Sequence, residues 1–410
     1  MVLIDMEAAD SALSKNRRVF GFFHFFHTFS PFALLSSQRR IVRYFGLVYT
    51  IATVILMIFR FYWMMFQVDG EFLTFAWAEA KMFGFLSLES AILTLALGKM
   101  GWTRSVERSE KSLVELKILR IQKTWKKKDD FRILYVRALI SNLFVFVSFT
   151  LTSIYLAVHR DVSFGDTKHS SWYWILEPII SILCAYSNFL FLPIHALRAH
   201  AVTREFEIFN EELETADKEK KLANVAVIQA FGVRQIKMFE YANFLMQRME
   251  RFMTWAPALS MLSFLMATYL VAEFSKKPPV LYLICLNAWA ISGFIISFAL
   301  MYPVALIQEA MSATSRVLLN STLLQENDDP LIFENYRMIL ERSLHNRSTN
   351  NVLHVFSVTR KNVERVFFTH TALIIVMCYV YGLDDGISQG FEAIGKLLMM
   401  GSANKTGVHP

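Results

Sequence analysis

The sequence is short of charge and almost without cysteine. Asp, Glu, Lys and Arg make up 19% of its 410 residues, against about 25% in a soluble globular chain, while 54% are hydrophobic and 14% aromatic. With a positive mean hydropathy as well, the membrane class precedes any division into domains. The three cysteines, Cys184, Cys285 and Cys378, each stand alone in an apolar stretch, which excludes a disulfide framework and a CxxC metal pattern. Also lacking are HExxH, P-loop and GxGxxG motifs, and the ten histidines have no metal-ligand spacing within one helix. No cofactor or metal is expected, and the chain does not read as an enzyme. The opening MVLIDMEAADSALSKNRR has no apolar core, so no cleavable signal peptide is predicted and the first span is expected to direct insertion. No inverted repeat is visible and no span is strongly broken by Gly or Pro, which lowers a secondary transporter. The net charge of +7 does not point to nucleic acid, because the basic residues lie in connections between apolar runs.

What is present is a series of long apolar segments. A membrane helix needs about 20 such residues, and seven runs qualify: 44–66, 75–97, 134–158, 174–197, 256–274, 280–306 and 363–383. The predicted fold is an all-α membrane protein with seven transmembrane helices embedded in a lipid bilayer. Of the 42 Lys and Arg residues, 34 fall in the amino-terminal segment and the connections after spans 2, 4 and 6. The positive-inside rule then puts the N-terminus in the cytoplasm and the C-terminus outside, the reverse of a G-protein-coupled receptor. Residues 1–43 form a cytoplasmic or interfacial segment, whose aromatic and basic second half suits a helix lying on the inner leaflet. Residues 44–385 form the seven-helix domain. Within it, about 198–254 and 308–362 are predicted as cytoplasmic helical extensions of spans 4 and 6, because Phe206, Phe209 and Leu213, then Phe239, Phe244 and Met246, recur near helical spacing among charges. Asn327 to Pro330 breaks the second extension, and Pro330 suits the first turn of a new helix. Residues 386–410 are an extracellular tail whose sequon makes Asn404 a glycosylation candidate.

Ionisable groups inside spans carry the most information, since a charge at the bilayer centre costs about 2.5–3.5 kcal/mol on insertion scales. Glu89, deep in span 2, serves a ligand or a structural hydrogen-bond network. Arg60 is expected to snorkel to the outer interface or to pair with Glu79. Aromatic and small polar residues crowd the outer halves, mostly as the usual interfacial belt. Trp77, Glu89, Tyr155, Tyr186, Asn188, Tyr269 and Asn287 are the candidates for a pocket holding a small organic ligand by stacking and a few hydrogen bonds. In span 7, Thr369, Thr371 and Tyr379 can face a water-filled path that ends at Asp384 and Asp385. Repeated around a symmetry axis, such carboxylates concentrate cations.

Seven spans, an internal N-terminus, short outer loops and a long charged extension of span 4 resemble the invertebrate gustatory receptor family, relatives of the insect odorant receptors. That family ends in a seventh span carrying Thr-Tyr, five hydrophobic residues and Gln-Phe. The matching run here is Thr371-Ala372, Leu373 to Met377, then Cys378-Tyr379, with alanine and cysteine in place of tyrosine and glutamine. The resemblance spans residues 40–385 and suggests a divergent member, possibly nematode. It implies a plasma-membrane chemosensory receptor of sensory cells that is a ligand-gated, non-selective cation channel, passing monovalent and divalent cations. It also implies a homotetramer or heteromer with the seventh helix lining the pore, adding Val376 and Cys378 to the ion path. A light- or oxidant-sensing receptor of the same fold is the alternative.

Overall fold

The computed structural model describes residues 21–68, 72–120, 131–158, 173–274, 279–325, 328–345, 351–352 and 356–380. A short helix α1 (Gly21–Thr28) and a 3-10 turn (Pro31–Ser36) precede α2 (Arg40–Tyr62), which runs on through one π turn, Trp63–Gln67. Helix α3 (Phe75–Trp102) starts where the Thr74 hydroxyl accepts from the Trp77 amide, satisfying an amide with no partner in its own helix. A turn through Arg104, in the left-handed region at φ 47°, leads into α4 (Ser105–Ile118). Then come α5 (Arg132–Val158), α6 (Tyr173–Lys218), α7 (Val225–Glu273), α8 (Val280–Leu319), α9 (Thr322–Gln325) and α10 (Pro330–His345). A two-residue antiparallel ladder pairs Asn351–Val352 with Phe356–Ser357, and α11 (Arg360–Val380) follows.

Six helices among the described residues are long and apolar enough to cross a membrane, and they lie in α2, α3, α5, α6, α7 and α8. The first six expected spans fall on them, the fifth running one residue past the end of α7. The seventh, 363–383, overlaps α11 and runs three residues beyond its described end. Pro330 opens α10, with the Asp329 carboxylate accepting from the Leu331 amide, as its position before an apolar run predicted.

Length is what separates this bundle from a simple stack of spans. Helices of 46, 49 and 40 residues (α6, α7, α8) reach about 60–75 Å at 1.5 Å per residue, twice a bilayer core of about 30 Å. The sequence reading attached extensions to spans 4 and 6. The structure adds one that leads unbroken into span 5, because residues 225–255 contain no proline and the single glycine Gly232. Helix α3 is the interior member, with 72% of its span buried against 28% for the peripheral α2. The Pro31–Ser36 turn buries Phe32 and Leu35 on these two helices. Gly101 permits it: a Cβ there would overlap the Phe32 carbonyl oxygen.

Candidate functional site

Three spans bring charge into the interior of the bundle. Arg60 of α2 is fully buried and is held by Glu177 of α6, its Nε donating to Oε2 at 2.9 Å and its Nη2 to Oε1. Its Nη1 donates to the Ser87 hydroxyl of α3 at 3.1 Å, and its guanidinium lies 5.0 Å from the Phe83 ring. Arg60 therefore does not snorkel, and its hydrogen bonds run to Glu177 and Ser87, while Glu79 accepts from the Tyr282 hydroxyl. The reason is helix packing: α2, α3 and α6 meet at this level, so the guanidinium has a carboxylate within reach and no route to water. One turn of α3 further on, Asn188 of α6 donates to Glu89 Oε2 at 3.2 Å and to Ser90 Oγ at 3.0 Å. Of the residues singled out in the sequence, Glu89 and Asn188 are thus brought into contact. Below them Thr94 and Ser187 share a hydrogen bond of 2.8 Å.

The aromatic candidates gather at the end of the bundle away from the long extensions. Tyr155 of α5 stacks on Tyr282 of α8 with ring centres 5.6 Å apart, and Phe75 meets Tyr282 edge-on at 6.1 Å. The Tyr269 hydroxyl donates to the carbonyl of Leu73, itself at φ 64°. Trp77 packs against Phe72, with the Lys81 ammonium 5.8 Å from its ring. Tyr186 is half-buried on α6, apart from this group. Asn287 is exposed and donates to the carbonyl of Leu283 in its own helix, so it does not join the cluster.

Helix α11 is attached by one side. His370 is buried, stacked on Phe264 of α7 at 4.0 Å and 3.4 Å from the Thr268 hydroxyl, while Phe367 meets Phe294 of α8 at 5.2 Å. On the rest of the helix Thr369, Thr371, Val376 and Tyr379 are exposed, Tyr379 at 78%. Thr371 returns its hydroxyl to the Phe367 carbonyl. The side chain of Cys378, and all of Asp384, Asp385 and Asn404, lie outside the described residues.

A second charge network, in the extensions, was not legible from composition. Arg120 pairs with Glu205 of α6; Arg234 of α7 pairs with Glu212 and lies 3.8 Å from Glu205, all four side chains being 5% exposed or less. Burial pushes the Arg234 guanidinium below its ordinary pKa while Glu212 and Glu205 hold it up. The signal in the sequence is the spacing of Glu205 and Glu212, two helical turns apart on one face. Gln235, next along α7, clamps α10 by donating to the Ile339 carbonyl and the Ser343 hydroxyl at 2.9 and 2.8 Å. Among the described residues no group of His, Cys, Asp and Glu is placed to hold a metal.

Residues 19–374 match the family described as "Caenorhabditis protein of unknown function, DUF267". The chain belongs to this family. The DUF267 chain also shares its fold with the insect olfactory receptor OR5 from Machilis hrabei: one structure covers 84% of this chain and 95% of the receptor, with a TM-score of 0.62 at 11% identity. A second, of the same receptor in complex with eugenol, covers 88% and 98% with a TM-score of 0.64 at 10% identity. No curated protein sequence matches. At these identities the likeness is one of fold, the same fold that the architectural resemblance implied. These matches are to receptors and not to enzymes.

Proposed function

We propose that the chain is a chemosensory receptor of the plasma membrane that is itself a ligand-gated, non-selective cation channel. The observation that carries this is the olfactory-receptor fold, shared along 84–88% of the chain. The proposal places the N-terminus inside, on the asymmetry of Lys and Arg, and reads α11 as the seventh span. Helix α11 suits a pore because Thr369, Thr371, Val376 and Tyr379 present an open face, while His370 and Phe367 fix the helix to α7 and α8. Four copies, or copies with a partner subunit, would set these faces around an axis with Cys378, Asp384 and Asp385 toward the outer mouth. The ligand site is assigned to the outer half, between the Tyr155–Tyr282 stack and the Glu89–Asn188 contact, with Trp77, Tyr186 and Tyr269 flanking. OR5 has been solved with eugenol, so a small, largely apolar organic molecule is the class proposed here. Ligand shifts a closed-to-open equilibrium by binding the open form more tightly.

The test is patch-clamp recording from cells expressing the full chain, with eugenol and a panel of small volatile organics as probes. A ligand-evoked cation current is expected, with divalent permeability lowered in Asp384→Ala/Asp385→Ala and conductance altered in Val376→Ser. A current indifferent to all of these changes removes the pore assignment, and saturable uptake without conductance replaces the channel with a transporter.

A further inference from the structure

The corner where α1 leads into α2 is rich in arginine, and among the described residues these arginines form no ion pair. The Pro31–Ser36 turn, the start of α2 and the turn from α3 to α4 meet there. The meeting is fixed by Arg104, whose Nε and Nη2 both donate to the Ser36 carbonyl at 3.1 and 2.8 Å, and by Arg43, whose guanidinium lies 3.4 Å over the Trp102 ring. Both contacts leave cationic nitrogen without an acid: the Nε of Arg43 is buried with no hydrogen-bond partner among the described residues. Arg39, Arg40 and Arg108 are exposed and form no ion pair among the described residues, and the acid in the first turn of α4 is Glu107 alone. Exposed cations elsewhere in the extensions, such as Lys218, Lys237 and Arg337, do have carboxylate partners. Apolar surface flanks the arginines, with Phe29 72%, Ile41 74% and Trp102 50% exposed. Arg40 begins the apolar span of α2 and Trp102 ends that of α3, so the corner lies at the level where hydrocarbon gives way to headgroups.

We infer that this corner docks the headgroup of an anionic phospholipid. The phosphate and a second negative group supply the missing acid for Arg39, Arg40, Arg43 and Arg108, while Phe29, Ile41 and Trp102 lie along the acyl chains. A soluble acidic protein would satisfy the arginines and leave the apolar flank in water; a lipid satisfies both. The site is independent of conduction and survives failure of the channel reading.

The full-length protein in neutral detergent, titrated with phosphatidylserine or phosphatidylcholine and read by native mass spectrometry, tests this. Phosphatidylserine is expected to bind about tenfold tighter at low salt, the gap closing as salt rises. Arg39→Gln/Arg40→Gln/Arg108→Gln should bring the two lipids within about twofold, while Arg337→Gln keeps the wild-type preference. If the triple variant melts below the wild type in phosphatidylcholine, Arg40→Gln and Arg108→Gln singly are each expected to narrow the gap about threefold. Equal binding of the two lipids by the wild type, or a preference that persists in all the variants, overturns the inference. Displacement of phosphatidylserine by inorganic phosphate at matched ionic strength also overturns it, in favour of a free-anion site.

Discussion

A guanidinium within a bilayer is tolerated when every nitrogen has a partner, and Arg60 shows how this is done. Glu177 neutralises it and Ser87 takes the remaining edge. Removing either member leaves the other charged and buried, so Arg60→Met and Glu177→Gln are each expected to cost about 3–5 kcal/mol. The double change Arg60→Met/Glu177→Leu should recover most of it. Thermal unfolding of the purified protein checks this, and simple additivity of the two single losses would show that the pair is not a unit. Glycines separate in the same way. A Cβ at Gly101 collides with the Phe32 carbonyl, so Gly101→Ala should destabilise by about 1–3 kcal/mol. At Gly232 the nearest atom is Ile339 Cδ1 at 3.7 Å, so Gly232→Ala should stabilise the α7 extension by about 0.5–1 kcal/mol.

Among the elements, the long helices depend on polar contacts that membrane burial does not supply. Outside the bilayer α6 and α7 are joined by Phe206–Phe239 and Phe209–Phe231 ring contacts and by the Arg120, Glu205, Arg234 and Glu212 network. Arg234→Met withdraws the guanidinium that Glu212 and Glu205 share and should loosen both extensions by about 3–5 kcal/mol while the spans keep their packing. Hydrogen exchange would show this as faster exchange in residues 200–245 with the protection of α3 unchanged; uniform loss across the molecule would contradict it. Sequence periodicity located these helices, since a run such as Phe206, Phe209 and Leu213 buries one face. It did not pair their charges, because which carboxylate meets which guanidinium depends on how the two helices are turned toward each other.

For the whole molecule, orientation is the property from which most of the proposed function follows. In the proposed topology the C-terminus lies outside, where Asn404 would meet the glycosylation machinery. Glycosidase treatment of protein from insect or mammalian cells should then sharpen its electrophoretic mobility, and Asn404→Gln should abolish the shift. An accessible amino-terminal tag on intact cells would reverse the topology and reopen the G-protein-coupled alternative. The fold itself was largely legible: the first six expected spans fall on helices of the structure, and resemblance to chemoreceptors matches the OR5 fold. The candidate site was legible in part. Glu89 and Asn188 meet, Tyr155 finds Tyr282 rather than another chosen residue, and Asn287 turns outward.

Sequence by itself determined that the chain is a helical membrane protein with long charged extensions, because hydropathy, charge and helical period are local quantities that add along the chain. Tertiary structure alone decided that Arg60 answers to Glu177, that α7 continues unbroken into its extension's packing, and that α11 is held on one side and open on the other. Those outcomes depend on the rotation and crossing of whole helices, and a one-residue change of about 100° in facing would exchange buried partners for lipid.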